Sequence, residues 1–279
     1  MFFGTLRPEL PAARAPYPDR DLERLFDRNH VGVRLARASE VVVGKDFIDR
    51  LLAAARLWLP GQTHFRVKAE DSQIRRGLDR VMSGPVAMVI EGEWSSTTAA
   101  NLVRQPKVAA GEVLPIWCCS HSVEPIEGCM PFDAGPWSES MLRHWLADEG
   151  LAPALDDVRT RAALLAATGG APARLDVLRP LLSEMGVRPV SERVAEIDVW
   201  SRKNPLAVDS MGLGDEDRAC LATLRDYDDQ DVTIGELVDF CPELTEARLQ
   251  RLTVIGLVRK GRLAGSAPIL TALGRLCAP

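Results

Sequence analysis

The last third of the chain contains the sequence TEARLQRLTVIGLVRKG, which runs from Thr245 to Gly261. Its apolar residues recur at the spacing of a helix with one buried face, at Leu249, Leu252 and Ile255. Thr245 is of a type that caps helix N-termini, and Gly256 is of a type that ends helices. The apolar run after Gly256 predicts a short strand, and Gly261 predicts the turn that follows. This stretch therefore predicts a helix that runs directly into a β-hairpin.

Two further predicted helices precede this stretch. Residues 215–225 form an amphipathic segment with acidic residues in its first turn, and residues 235–240 form a shorter one. Residues 269–276 close the unit. The order of these segments, together with the stretch from Thr245 to Gly261, resembles winged-helix domains. The resemblance covers residues 215–279 and implies a winged helix-turn-helix domain at residues 206–279.

In winged-helix proteins that bind DNA, the third helix enters the major groove and the hairpin forms the wing. The resemblance implies that Arg248 and Arg251 point outward on the recognition helix. It also implies that Arg259, Lys260 and Arg262 lie on the wing. On this basis the predicted DNA-contacting residues are Arg248, Arg251, Lys260 and Arg262.

The charge balance limits what the tail can do. Residues 215–279 contain eight Arg or Lys and eleven Asp or Glu, and the whole chain has a formal net charge of −5. A protein that is held on DNA by phosphate neutralisation is usually basic, so any DNA contact has to come from a local basic patch. A winged helix that docks another protein is the alternative that this composition leaves open.

The region before the tail alternates strands and helices. The predicted strands are residues 31–35, 40–44, 64–68, 86–90 and 113–119, and the predicted helices are residues 46–59, 71–81 and 96–103. The continuous apolar run at residues 86–90 is typical of a strand that is buried on both faces of a parallel sheet. We therefore predict an α/β core at residues 21–135, preceded by an extended arm at residues 1–20.

The pattern becomes helical after a Gly- and Pro-rich stretch at residues 127–137. Three helices are predicted there, at residues 138–149, 155–167 and 172–184, and residues 190–200 lead from them into the tail. We assign residues 136–205 to a helical domain between the α/β core and the tail.

Motif order in the middle of the chain resembles AAA+ and STAND-type P-loop ATPases. The strand that ends in Glu91 and Glu93 resembles a Walker B strand, and residues 113–119 followed by Ser120 resemble a sensor strand with a polar tip. The sequence TGGAPAR, which ends at Arg174, resembles the sensor-2 motif at the start of a lid helix. The resemblance implies a P-loop-NTPase-like core, a helical lid at residues 136–205 and a nucleotide site at Glu91, Glu93, Ser120 and Arg174.

The chain departs from that family at the phosphate-binding loop. No G-x-x-x-x-G-K-[ST] motif occurs in the sequence. Gly44-Lys45-Asp46 has Gly and Lys at a predicted helix start, but the first glycine and the hydroxyl residue are missing. We therefore predict no catalytic residues and no ATP hydrolysis, with bound ATP or ADP as the only cofactor that the resemblance leaves open.

Six cysteines are spread along the chain, and three of them lie near a histidine. Cys118, Cys119, His121 and Cys129 are residue types that bind zinc. Adjacent cysteines on a strand point to opposite faces, so buried structural thiols are the interpretation we prefer, with no metal site. No apolar run of 18 or more residues occurs. We expect a cytoplasmic protein that does not bind membranes, and the residue usage is typical of bacterial proteins.

Two functions are consistent with these patterns. The first is a non-catalytic ATPase-like subunit or adaptor that joins a multi-protein complex, one that acts on DNA if the predicted arginine contacts hold. The second is a ligand-responsive winged-helix transcriptional regulator. A subunit requires a protein partner, whereas a regulator is expected to dimerise and to bind DNA alone.

Overall fold

The computed structural model describes most of the chain. It covers residues 22, 25–27, 30–44, 47–119, 123–206, 208–227, 232–259, 261 and 267–279. The predicted arm at residues 1–20 lies outside the described residues. The same holds for Lys45, Ser120, His121, Lys260 and Arg262.

A five-stranded parallel sheet organises the first half of the chain. Its strands are β1 (Val33–Ala38), β2 (Phe65–Lys68), β3 (Val86–Glu91), β4 (Val113–Cys119) and β5 (Cys129–Ala134), in the order β2-β3-β4-β1-β5. All four pairings are parallel. Successive residues of β3 enter different apolar clusters, since Ala87 and Val89 face one side and Met88 and Ile90 the other. Burial on both faces explains the continuous apolar run of β3.

Helices cover both faces of the sheet. One face is covered by α1 (Glu40–Val43) and α2 (Phe47–Trp58). The other face is covered by α3 (Asp71–Arg80), α4 (Ser96–Val103) and α5 (Pro106–Ala109). The helices predicted at residues 46–59, 71–81 and 96–103 are confirmed. This mixed α/β arrangement is consistent with a P-loop-like core.

The structure corrects two predictions about strands. Residues 40–44, which were predicted as a strand, form the short helix α1, because Val42 and Val43 are buried in the core in that conformation and Gly44 ends it with a positive φ of 84°. Strand β5 was missed because it contains Pro131. β5 lies at the sheet edge and pairs only with β1, which is where a strand tolerates proline.

Five helices form the middle region around an apolar core of their own. They are α6 (Glu139–Asp148), α7 (Ala152–Leu155), α8 (Val158–Thr168), α9 (Pro172–Met185) and α10 (Val190–Lys203). Leu142, Trp145, Leu164 and Leu175 are fully buried members of this core. The three predicted helices are confirmed, and α7 and α10 are additions. None of the helices in the part of the chain that the structure describes has the length and apolarity needed to cross a bilayer.

The tail consists of three helices, a two-stranded hairpin and a final helix. They are α11 (Asp215–Asp226), α12 (Ile234–Phe240), α13 (Glu246–Val254), β6 (Val258–Arg259), β7 (Ile269–Leu270) and α14 (Ala272–Cys277). The Thr245 hydroxyl accepts a hydrogen bond from the Arg248 N–H, so the predicted cap of α13 is confirmed. β6 and β7 pair antiparallel, as the predicted helix-to-hairpin connection requires.

Two buried polar side chains, Arg34 and His64, are hydrogen-bonded to backbone groups around them. The Arg34 guanidinium on β1 is 1% exposed and donates to four backbone carbonyls, those of Leu25, Asp27, His30 and Gly32. Burial lowers the pKa of Arg34 to about 10. His64 is also buried, and its Nδ1 accepts a hydrogen bond from the Ala87 N–H at 3.1 Å while Nε2 lies 3.0 Å from the Leu59 carbonyl. This pairing requires the neutral imidazole.

We predict that acidification destabilises the fold through His64. Burial lowers the pKa of His64 below its ordinary value of 6.5, so the unfolded chain binds the proton first. The free energy of unfolding should therefore fall as pH drops below about 6.5, by at most about 1.4 kcal/mol per pH unit for one proton. Urea unfolding between pH 7.5 and 5, taken in small steps, measures this slope.

A His64→Asn variant should show a shallower slope than the parent chain. His144→Asn is the matched control, because His144 lies on the exposed surface of α6. Equal slopes for the parent and His64→Asn would show that His64 does not carry the effect.

Candidate functional site

A crevice lies at the carboxyl edge of the parallel sheet, where ligands of open α/β sheets bind. It encloses a cavity of about 400 Å³ beside the ends of β1, β3 and β4. Its lining comprises Ala38, Glu40, Val43, Gly44, Phe47, Ile48, Glu91, Cys118 and Cys119. This volume lies within the range of about 300–1,000 Å³ that is usual for small-molecule sites. Of the predicted nucleotide-site residues that the structure describes, which are Glu91, Glu93 and Arg174, Glu91 is the one that lines it.

A smaller cavity adjoins the crevice. It encloses about 150 Å³ between α2, the end of β5 and the start of α9, and it shares Val43 and Phe47 with the larger cavity. The Arg50 guanidinium lies 5.8 Å from the centre of the Trp137 ring at this cavity. Its volume is below the range that is usual for ligand sites. The crevice beside Glu91 is therefore the larger candidate.

The segment between β1 and α2 uses its own backbone donors. The N–H groups of Val42 and Val43 both donate to the Ser39 carbonyl, that of Gly44 to the Glu40 carbonyl, and that of Phe47 to the Gly44 carbonyl. The first three of these hydrogen bonds are 2.9 Å long, and the last is 3.4 Å. A loop that cradles a phosphate directs free N–H groups at the anion. Here those donors are already paired within the chain.

Two carboxylates lie near the end of β3. The Glu91 carboxylate pairs with the Lys68 ammonium of the neighbouring strand at 2.9 Å, and this hydrogen bond lowers the pKa of Glu91. The two residues are also register partners between β2 and β3. Glu93 follows Gly92 and is exposed. A magnesium ion would therefore have to compete with Lys68 for Glu91.

The thiols at the end of β4 are partly buried and line the crevice. Burial raises the pKa of Cys119 to about 12 and raises that of Cys118 further. A thiol with a raised pKa stays protonated at neutral pH and is a poor nucleophile or metal ligand. Within the described ranges no group of His, Cys, Asp and Glu is arranged to hold a metal ion. His121, one of the residues considered for zinc, is outside those ranges.

Arg174 is engaged within the helical region. Its guanidinium donates to the carbonyls of Ala167 at 2.9 Å and Asn204 at 2.7 Å, and it lies 5.0 Å from the centre of the Trp200 ring. Burial lowers the pKa of Arg174. The side chain joins the ends of α8 and α10, and it is not among the residues that line the 400 Å³ crevice. The structure therefore does not bring Arg174 together with Glu91 at that crevice.

The predicted DNA-contacting arginines of α13 bind the first turn of α11. Arg251 pairs with the Asp217 carboxylate at 3.1 Å, and Arg248 lies 3.4 Å from it and also pairs with Glu216. Arg251 further donates to the Gly212 carbonyl at 2.7 Å. Asp217 is 2% exposed. Arg248 and Arg251 thus pair with α11, while the Arg251 side chain stays 41% exposed, and their contact with DNA stays a prediction.

This buried carboxylate was missed by the sequence analysis. The acidic first turn of α11 was explained by the helix dipole alone, which needs no partner. Asp217 also accepts a hydrogen bond from the Gly214 N–H at 3.0 Å, so it caps α11 and pairs with α13 at once. A capping acid three residues after a glycine was the available signal, but the pairing with a distant helix depends on tertiary packing.

The chain matches no protein-family model and no curated protein. One similar solved structure is "Structure of Drosophila ORC bound to DNA", at 12% identity and a TM-score of 0.45, covering 97% of this chain and 88% of that one. Another is a STAND ATPase with a tetratricopeptide repeat sensor from Pyrococcus horikoshii, at 13% identity and a TM-score of 0.37, covering 96% of this chain and 44% of that one. Structural similarity at these identities and TM-scores carries no conclusion about the function of this chain.

We predict that Asp217→Asn lowers the free energy of unfolding by about 2 kcal/mol, because two arginines lose a buried charged partner. Urea unfolding at neutral pH measures the change. Asp215→Asn is the matched control, since Asp215 lies in the same helical turn but is exposed. Equal losses for the two variants would contradict a structural role for the Asp217 pairing.

Proposed function

We propose that this chain is a non-catalytic, ATPase-like adaptor that joins a protein complex and carries a winged-helix module at residues 206–279. The observation that carries the proposal is the pairing of the backbone donors in α1. In a P-loop enzyme the donors at this position hold phosphate, whereas here they close a helical turn. The proposal takes residues 21–135 as the ATPase-like core and residues 136–205 as its lid.

Two charged groups also favour a non-hydrolysing core. Glu91 pairs with Lys68, so a magnesium ion would have to displace the ammonium group to bind this carboxylate. Arg174 donates to two carbonyls of the helical region and is only 9% exposed, so its guanidinium is not presented to a phosphate from solvent. The nucleotide site suggested by Glu91, Glu93, Ser120 and Arg174 thus has two of its four members engaged elsewhere in the chain.

The tail has the element order of a winged helix, but its arginines favour a protein-facing role. The guanidinium groups of Arg248 and Arg251 are partly neutralised by Glu216 and Asp217 before any phosphate arrives. DNA contact would have to rest on Arg259, which is exposed on β6, and on Lys260 and Arg262. The same charge pairing weighs against the ligand-responsive regulator, which has to bind DNA by itself.

The nucleotide prediction can be tested by restoring the missing motif. Ser39→Gly with Asp46→Thr converts the segment to GEVVVGKT, which is a complete phosphate-loop sequence. We expect no saturable binding of a fluorescent ATP analogue to the parent chain up to about 1 mM, and measurable binding to the double variant. Fluorescence titration with magnesium present measures both.

Each outcome of that titration has a defined meaning. Saturable binding to the parent, with hydrolysis that is lost in Glu91→Gln, would overturn the non-catalytic proposal. If neither the parent nor the double variant binds the ATP analogue, the ATPase-like part of the proposal is rejected, and an adaptor with an α/β core remains.

The DNA prediction concerns affinity at physiological salt. We expect the parent to bind a short DNA duplex only at the non-specific level, with a Kd of about 10⁻⁵ M or weaker at about 0.15 M salt. An electrophoretic mobility shift over a salt series measures this. Nanomolar binding that disappears in a folded Arg248→Gln/Arg251→Gln variant would instead support the DNA-binding regulator.

A further inference from the structure

One segment of the tail is acidic throughout. The 22 residues from Asp226 to Ala247 contain eight Asp or Glu and no Lys, Arg or His. The acidic residues are Asp226, Asp228, Asp229, Asp231, Glu236, Asp239, Glu243 and Glu246. This segment includes all of α12 and the turn into α13. Its charge repels phosphate and attracts basic partners.

The helix at the centre of this segment exposes apolar side chains. Leu237 is the buried residue of α12, whereas Ile234, Val238 and Phe240 are exposed by 37%, 40% and 65%. At helical spacing Ile234 and Val238 lie on one edge of the buried stripe, and Phe240 lies on the other edge. Glu236 and Asp239 occupy the outer face between these edges, where the Glu236 carboxylate accepts hydrogen bonds from the N–H and the hydroxyl of Thr233, both at 2.8 Å. The outer surface of α12 is therefore both apolar and acidic.

An aromatic pair forms one end of this surface. Phe240 stacks on Tyr227, with ring centres 5.6 Å apart and planes inclined by 27°. Both residues follow an aspartate in the sequence: Asp226, before Tyr227, pairs with Arg225 at 3.7 Å, and Asp239 precedes Phe240. Asp239 is exposed and has no partner in the part of the chain that the structure describes. An aromatic face beside carboxylates suits a guanidinium, which stacks on rings and pairs with acids.

We propose that the surface formed by α12 and the Tyr227–Phe240 pair docks an arginine-bearing amphipathic segment of a protein partner. The Asp239 carboxylate pairs with an arginine, Phe240 stacks against a guanidinium, and Val238, the chain neighbour of Asp239, contacts the apolar side of the segment. This inference deepens the adaptor function and rests on it, because it names the chemistry of the protein partner. It differs from DNA docking, which this acidic surface opposes.

The test uses the full chain and a defined probe. The probe is a fluorescein-labelled helical peptide of about 16 residues with Arg on one face and Leu on the other. Fluorescence anisotropy at about 0.1 M salt should give a Kd of about 10 µM or tighter, and added salt should weaken it. Phe240→Ala should weaken binding about tenfold and Asp239→Asn about threefold.

Matched controls separate this surface from general charge attraction. Val187→Ala and Asp79→Asn change an exposed apolar side chain and an exposed acid elsewhere, and both should leave the Kd unchanged. A peptide with Glu in place of Arg should not bind. Equal binding of the parent and the Phe240→Ala/Asp239→Asn chain would overturn the inference, as would a failure of the parent to bind or a preference for duplex DNA over the peptide.

A nucleotide titration on the same sample keeps the two proposals distinguishable. If neither the peptide nor the nucleotide binds, the docking surface is rejected and the non-catalytic core stands. If the peptide binds and the chain hydrolyses ATP, the docking surface stands and the non-catalytic core is rejected.

Discussion

The requirement that a parallel sheet be covered on both faces controls the architecture of this protein. β3 and β4 are buried in the sheet interior, and every connection between parallel strands has to cross one face or the other. The crossover from β1 to β2 carries α1 and α2, which brings the segment after β1 to the carboxyl edge of the sheet. A ligand site is expected at that edge. In this chain the short helix α1 lies at that edge, where Glu40 and Val43 line the crevice.

The central functional consequence follows from hydrogen bonds in a few residues. Each residue other than proline has one backbone N–H group, and a donor that closes a helical turn is not available to an anion. In the tail, side-chain donors are paired within the chain in the same way. Arg248 and Arg251 would carry positive charge to a partner if they were free, but the carboxylates of α11 hold them. In both places groups of a kind that bind phosphate are satisfied within the chain, while α12 exposes the Asp239 carboxylate and the apolar side chains of Val238 and Phe240.

Periodicity in the sequence predicted most helices and the inner strands, because each of those elements buries one face or both. β5 escaped prediction because an edge strand with a proline has no clear pattern. α1 was predicted as a strand because three consecutive valines favour extended structure. The burial of Val42 and Val43 outweighed that local preference. For the candidate site, the sequence predicted which residue types are present, but it did not predict the groups with which their side chains pair. The pairing of Glu91 with Lys68 depends on strand register, and that of Arg251 with Asp217 on helix packing.

Hydrogen–deuterium exchange at the amides of Val42, Val43 and Gly44 tests the central claim most directly. If these donors are paired within α1, their exchange should be slow in the free protein and unchanged when magnesium and ATP are added. Rapid exchange that becomes slow only with ATP would show a loop that is open to phosphate, and it would contradict the account.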